Sequence, residues 1–393
     1  MKSNSFTNPL SIVFCSILIP LFCFFPLRPA MGQEIKIGGV FPLTGSQAFV
    51  GTSEKNAAQM AVDEINAAGG IKGQKVQFVA YDDTGDPSKT VLIVKKLTEV
   101  DNVPVIIGPG NSPTTMAVIP IVEKAEITII SEAYSTAVTS PVRKWVFKTG
   151  GDSLTEVQVY ARDYLVPMGI KKLAVLYVSN PLGEDGRDSI QKVAAENKIG
   201  IVREESFKVD DMDMTAQLTR IKASDTQVLI VWGTNPAPAI IAKNRKQIGL
   251  RIPLIQLSGV MGPVYMKLAG DAANGVLTGG EKVVVANLLP DDYPDKKRLL
   301  RFIDAYVGKY GKEASINPMV GYGYDAAMIA AEAIKKVGTD RVKVRDAIEN
   351  TKGFLGISGT YSYSPTDHKG LTTEEYLFMI EIVDGKLVRW KKK

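Results

Sequence analysis

The sequence predicts an α/β fold made of two successive units, each a mainly parallel sheet with helices on both faces. Two observations carry the prediction. Short β-branched runs alternate with longer amphipathic stretches from Glu34 onward, and the alternation restarts after the pair Gly150-Gly151. Repetition of strand then helix sets parallel strands side by side and leaves the crossover helices to cover both faces.

In the first unit Ile35 to Phe41, Val76 to Tyr81, Val103 to Ile107 and Ile127 to Ile130 read as buried strands. Between them Glu54 to Ala68, Pro87 to Val100 and Pro113 to Lys124 read as helices. Gly69-Gly70 ends the first, and Asp86 with Pro87 at the first helical position opens the second. The second unit runs helix Ser153 to Pro167, strand Leu173 to Val178, helix Gly183 to Lys198, strand Ile201 to Phe207 and helix Thr215 to Ala223. Strand Val228 to Trp232, helix Pro236 to Ile248 and strand Ile252 to Leu257 continue it. Helices Pro294 to Tyr310, Tyr322 to Val337 and Val342 to Asn350 follow, with no strand between the last two. They are expected to return as cover on the first unit.

The amino terminus reads differently. Lys2 precedes an apolar stretch from Ile12 to Leu27, broken by Pro20 and Pro26, and small residues Ala30 and Gly32 follow. That order reads as a secretory signal peptide over residues 1–32, with the mature chain starting at Gln33 in the periplasm. Cys15 and Cys23, the only two cysteines, fall inside it and each follows Phe, so neither fits a lipid attachment site. The mature chain is therefore expected to fold without disulfides. Loss of Lys2 and Arg28 takes the net charge from +5 to +3, and no basic run is longer than the three residues of Lys391 to Lys393. Nucleic acid is not an expected partner.

His368 is the single histidine. Its setting, Pro365-Thr366-Asp367-His368-Lys369-Gly370, reads as a solvated turn. Without a second histidine or a mature cysteine, no His/Cys metal site, catalytic set or cofactor is expected, and the chain reads as a non-enzyme. Gly108-Pro109-Gly110-Asn111-Ser112-Pro113 follows a strand and opens a helix, but Pro113 stands where a dinucleotide fingerprint needs its third glycine. The segment does offer a helix amino terminus, with Ser112 as cap and the N–H groups of Thr114 and Thr115 facing outward, which favours an anion. The other reading, that Ser112 only caps its own helix, stands beside it. Ser131 to Ser135, which includes Ala133 and Tyr134, leaves the next strand at the same edge, and Phe49 and Val50 follow the first strand on the loop Thr44-Gly45-Ser46-Gln47. Such a rim suits a small ligand with one charged end and an apolar body.

Several segments together resemble the leucine/isoleucine/valine-binding branch of type I periplasmic solute-binding proteins. They are Ile35-Lys36-Ile37-Gly38, Leu43-Thr44-Gly45, Asp63 to Gly73, Tyr81-Asp82-Asp83 with Asp86-Pro87, Ile106 to Pro109 leading to Ser112, Gly270 to Val276, and Tyr324 to Ala327. The resemblance implies two lobes, 33–149 with 284–363 and 150–283 with 364–393, joined by three crossovers near Lys148 to Gly151, Glu281 to Val284 and Tyr363 to His368. It implies a monomer that closes its hinge on a ligand, a behaviour for which periplasmic binding proteins are the standing example, and that delivers it to the membrane permease of an ABC importer.

By the same resemblance, the hydroxyls of Ser112 and Ser135 and the backbone of Ala133 and Ser135 hold a ligand carboxylate. The positions of the family's disulfide are Gly85 and Asn111. Departures from the family pattern are Val50 and Leu182 in place of aromatics, Asn235 in place of a tyrosine, and Ser258 in place of the acid that pairs a ligand ammonium. Asp83 and Glu184 are the candidates to replace that acid, against simpler roles in a turn and a helix start. Two ligand classes stay open, an aliphatic amino acid and an aromatic or other non-amino carboxylic acid, and a ligand-sensing role in a signalling system is the alternative to transport.

Overall fold

The computed structural model describes residues 34–260, 262–311, 314, 316–371 and 376–392. The expected export segment lies outside these residues. The first sheet is made of β1 (Ile35–Phe41), β2 (Val76–Asp82), β3 (Val105–Ile107), β4 (Thr128–Ser131) and β5 (Val146–Lys148), with α1 (Ala48–Ala67), α2 (Pro87–Glu99) and α3 (Ser112–Ala125) as crossovers. The strand order is β2-β1-β3-β4-β5, parallel throughout. Both faces of the sheet are buried, and alternate side chains go to opposite cores. Ile37, Ile107 and Ile130 pack with Ala58 and Ala61 of α1. On the other face Val40, Ile106 and Ile129 pack with Leu97 of α2 and Val118 of α3.

The chain passes through Thr149-Gly150-Gly151 into α4 (Ser153–Tyr160), β6 (Lys172–Val178), α5 (Pro181–Glu196), β7 (Gly200–Phe207), α6 (Thr215–Lys222), β8 (Val228–Trp232), α7 (Ala237–Gln247), β9 (Leu254–Gln256), α8 (Pro263–Ala269) and β10 (Val276–Glu281). It then forms α9 (Lys296–Tyr310), α10 (Pro318–Val337), α11 (Arg341–Glu349), the small hairpin β11 (Phe354–Leu355) and β12 (Thr360–Tyr361), and finally β13 (Leu377–Val383) and β14 (Lys386–Arg389). The second sheet has the order β14-β13-β10-β9-β8-β6-β7, parallel except that β13 and β14 run antiparallel at one edge. As expected, α10 returns to the first sheet, packing along α1 and against β3 and β4.

Four expectations need correction. Helix α1 starts six residues before Glu54, at Ala48, so Phe49 and Val50 lie in its first turn rather than on a loop. The buried stripe of α1 contains Ser53 and Glu54, and those polar residues hid its periodicity. Strand β10 was not anticipated because Gly279-Gly280 weakens its β pattern; a Cβ at Gly279 would meet Glu156 and Leu377, and one at Gly280 would meet Val285. The terminal pair β13 and β14 was likewise not anticipated. Finally, His368 is fully buried, not solvated. Its ring stacks on Phe147 at 3.9 Å, Nδ1 lies 2.9 Å from the carbonyls of Arg143 and Val146, and Nε2 lies 3.1 Å from Glu349.

Candidate ligand-binding cleft

Loops that leave the carboxyl ends of strands in both sheets line one cavity of about 180 Å³. From the first sheet come Gln47 and Val50 after β1, Gly85 after β2, Asn111 and Ser112 after β3, and Glu132 and Tyr134 after β4. The facing wall holds Asn180 and Leu182 after β6, Val209 after β7, Thr234 after β8, and Leu257 and Gly259 after β9. Glu54 from α1 and Met319 and Tyr322 from α10 complete it. Open α/β sheets bind at this edge. A cavity of ~150 Å³ holds a benzene ring, so the space suits an amino acid or a one-ring compound.

The helix terminus at β3 is built differently from the expectation. Asn111, not Ser112, caps α3, because its Oδ1 accepts from Thr114 N at 3.1 Å and Thr114 Oγ1 at 2.8 Å. Thr115 N bonds Asn111 O at 3.0 Å, so neither expected outward N–H is free. Ser112 is thereby released from capping: its Oγ accepts from Ser135 N at 3.2 Å, and its own hydrogen has another direction to take. Ala133 N donates to Ser131 Oγ at 3.1 Å, and Ser135 Oγ accepts from Ala137 N at 3.2 Å. Gly85 and Asn111 lie near each other, a Cβ on Gly85 falling 3.6 Å from Asn111 Nδ2.

Of the ten residues expected at the site, Val50, Ser112, Tyr134 and Leu182 line the cavity. Phe49, Thr114, Ala133, Ser135, Asn235 and Ser258 do not reach its wall. Ser258 is held by Glu156, whose carboxylate accepts from Ser258 N at 2.7 Å and Ser258 Oγ at 2.8 Å and also from Tyr134 and Tyr160. Asp83 accepts from Gly85 N at 2.8 Å and Thr90 Oγ1 at 2.9 Å, closing a turn, and Glu184 is exposed on α5. Neither is in the cavity wall.

Acids that sequence reasoning missed are there instead. Glu54 and Glu132 are only 1% and 2% exposed. Burial, then the charge of Glu132 and that of Asp83, hold the Glu54 carboxyl well above the usual carboxylate range; burial does the same to Glu132. Their carboxyls lie close enough to share a hydrogen bond. Among the described lining residues there is no Lys, Arg or His to balance them. Below the cavity, burial also raises Glu156 and pushes Glu281, which accepts from Tyr322, up to about 8.

Direct bonds cross the cleft mouth. Gln47 Nε2 donates to Thr234 Oγ1 at 3.2 Å, and Asp185 of α5 accepts from the backbone N–H groups of Thr136 and Ala137 at 2.9 and 3.1 Å. Gly150 and Gly151 sit at the base, where any side chain would collide with the Glu132 and Ala133 carbonyls or the Tyr134 ring.

Residues 34–386 match the family model described as periplasmic binding protein. The chain is 27% identical over 357 residues to the leucine-, isoleucine-, valine-, threonine-, and alanine-binding protein of Pseudomonas aeruginosa, covering 89% of this chain and 92% of that protein. Among solved structures it is similar to the branched-chain amino acid transporter substrate binding protein of Streptococcus pneumoniae in complex with isoleucine, with a TM-score of 0.78, 26% identity and 90% of this chain and 98% of that one covered. A solute binding protein of an ABC transporter from R. palustris, solved with 4-hydroxybenzoate, aligns with a TM-score of 0.79 at 20% identity over 92% and 96% of the two chains.

Proposed function

The chain belongs to the periplasmic binding protein family, and from that premise we propose that it is the extracytoplasmic substrate-binding component of an ABC importer, with a small amino acid as its ligand. A member of a binding-protein family, it is not an enzyme. We place the two lobes around the two sheets, with crossovers at Lys148 to Gly151, at Glu281 to Val284 and at Tyr363 to His368. The ligand enters between them and the hinge closes over it in the periplasm, before delivery to a membrane permease. The observation that carries this reading is a cavity walled by loops from both sheets, with apolar Val50, Leu182 and Leu257 beside polar Ser112 and the two glutamates. An amino acid needs that combination of an apolar slot and charged-end contacts. The relatives named for branched-chain amino acids support it.

A second reading, a non-amino aromatic acid, is favoured by Ser258, which stands where an acid is expected and is already bonded to Glu156. A thermal-shift screen separates the two, since a ligand that binds only the folded state raises the melting point. Leucine or a similar amino acid should raise it; a rise with 4-hydroxybenzoate and none with any amino acid selects the second reading. Ser112 supplies the carboxylate contact in either case. Ser112→Ala should weaken a carboxylate ligand by about tenfold or more, because a hydrogen bond to a charged group is worth roughly 1.5–3 kcal/mol. Unchanged affinity by calorimetry would remove Ser112 from the site.

A further inference from the structure

Glu54 and Glu132 come from different elements, α1 and the segment after β4, and converge on the cavity wall. The loop between β3 and α3 is shaped around the first of them: a Cβ on Gly110 would run into the Glu54 carboxylate. Apart from the hydrogen bond between the two carboxyls, no N–H or O–H of the described residues donates to any of the four carboxyl oxygens. Glu156 nearby shows how this fold treats an acid with a structural task, giving it two tyrosine hydroxyls and both donors of Ser258. Glu54 and Glu132 have no such task, yet both are almost fully buried.

Buried acceptors without donors are rare unless something else supplies the donors. Four carboxyl oxygens with no balancing cation in the wall call for a group that is positive and donor-only, and an ammonium, with three N–H bonds and no acceptor, is that group. The titratable groups around the pair are Asp83 from the turn after β2 and the phenols of Tyr134 and Tyr322 that share the cavity wall, all of them acids.

We infer that Glu54 and Glu132 form the binding site for the ligand's protonated amine, on the wall contributed by the first sheet. This rests on the proposed reading of the cavity as the ligand site. In the empty cleft the hydrogen bond between the two carboxyls needs a proton on one of them. When the ammonium enters, that O–H bond breaks, the proton leaves to water, and the amine keeps all its own protons between two carboxylates. Binding is therefore coupled to proton release, and affinity rises with pH across the range in which the pair still holds its proton.

Calorimetry on the chain from Gln33 tests this with L-leucine, L-phenylalanine and phenethylamine against the deaminated partners 4-methylpentanoate and 3-phenylpropanoate, in two buffers of different ionisation enthalpy. The amine-bearing compounds should bind, with up to about one proton released, and Glu132→Gln should weaken them about 10- to 100-fold. Glu54→Gln provides the same reading should the first variant fold poorly. If the deaminated acids bind as well as the amines, or if both variants keep wild-type affinity for an amine, the inference falls and the binding-protein reading stands. If no compound of either set binds, the amino acid reading falls and takes the inference with it.

Discussion

A carboxyl buried without donors is a stability cost carried for another purpose. Replacing Glu54 or Glu132 by Gln removes a charge from a site that desolvates it, so the ligand-free melting point should rise by a few degrees, roughly 1–3 kcal/mol. A fall of similar size in differential scanning calorimetry would mean the acids are structural after all. The sign of the pH dependence follows from the same residues. Glu54, Glu132, Glu156 and Glu281 all have folded-state pKa values above their unfolded ones, Glu281 near 8. Such groups bind more protons folded than unfolded, so their contribution is fully present below about pH 4.3 and declines as pH rises above it, Glu281's being lost as pH passes about 8. The carboxylates held low, such as Asp152 beside Lys148, act in the opposite sense only at more acid pH. The ligand-free melting point should therefore fall between pH 5 and 8, and a flat or rising profile would contradict the buried-acid description. Sequence held a faint signal for one of these residues. Val50, Glu54, Ala57 and Ala61 are spaced by four, three and four, which puts Glu54 on the buried face of α1. Glu132, one residue past a strand, and His368, in a run of turn residues, carry no such periodicity; only the packing of distant segments buries them.

Elements were legible in proportion to how much of their stabilisation is local. β1 and β8 match the expected spans to the residue: β8 is a continuous apolar run buried along its whole length, and β1 is buried at every position but Lys36. β10 and β13 depend on each other across 96 residues of chain or more, as in the pairing of Glu281 with Leu377, and no local pattern reports that contact. The cap of α3 shows the same limit at finer grain. Asn111 and Ser112 are both good caps by type, and the choice falls on Asn111 because Ser112 is drawn to Ser135 N. Asn111→Ala should then cost about 1 kcal/mol of stability, within the 0.5–2 kcal/mol expected of a lost cap. If Ser112→Ala behaves as the cap mutant and Asn111→Ala is silent in chemical denaturation, the assignment is reversed.

For the whole molecule, affinity depends on how much the closed arrangement is favoured before ligand arrives, because ligand shifts the equilibrium only by its differential affinity for the two states. On the proposed hinge closure, bonds that join loops of the first sheet to the second belong to the closed state's free energy. Asp185 is the strongest of these. Its carboxylate accepts two backbone N–H groups, from Thr136 and Ala137, on the segment that follows Ser135, so it ties α5 to the loop that carries Glu132 and Tyr134 into the cavity. Removing it leaves both N–H groups able to reach water once the mouth opens, so the loss falls on closure rather than on folding. Asp185→Ala should weaken ligand binding about 5- to 20-fold, mainly through faster dissociation, for roughly 1–2 kcal/mol of lost closed-state bonding. Asp185→Asn, which keeps one acceptor oxygen, should fall between. Stopped-flow dissociation with a bound amino acid reads this directly, and small-angle scattering of the ligand-free variant should show a more open average shape. An unchanged dissociation rate together with an unchanged scattering profile would show that the Asp185 contact follows closure without favouring it.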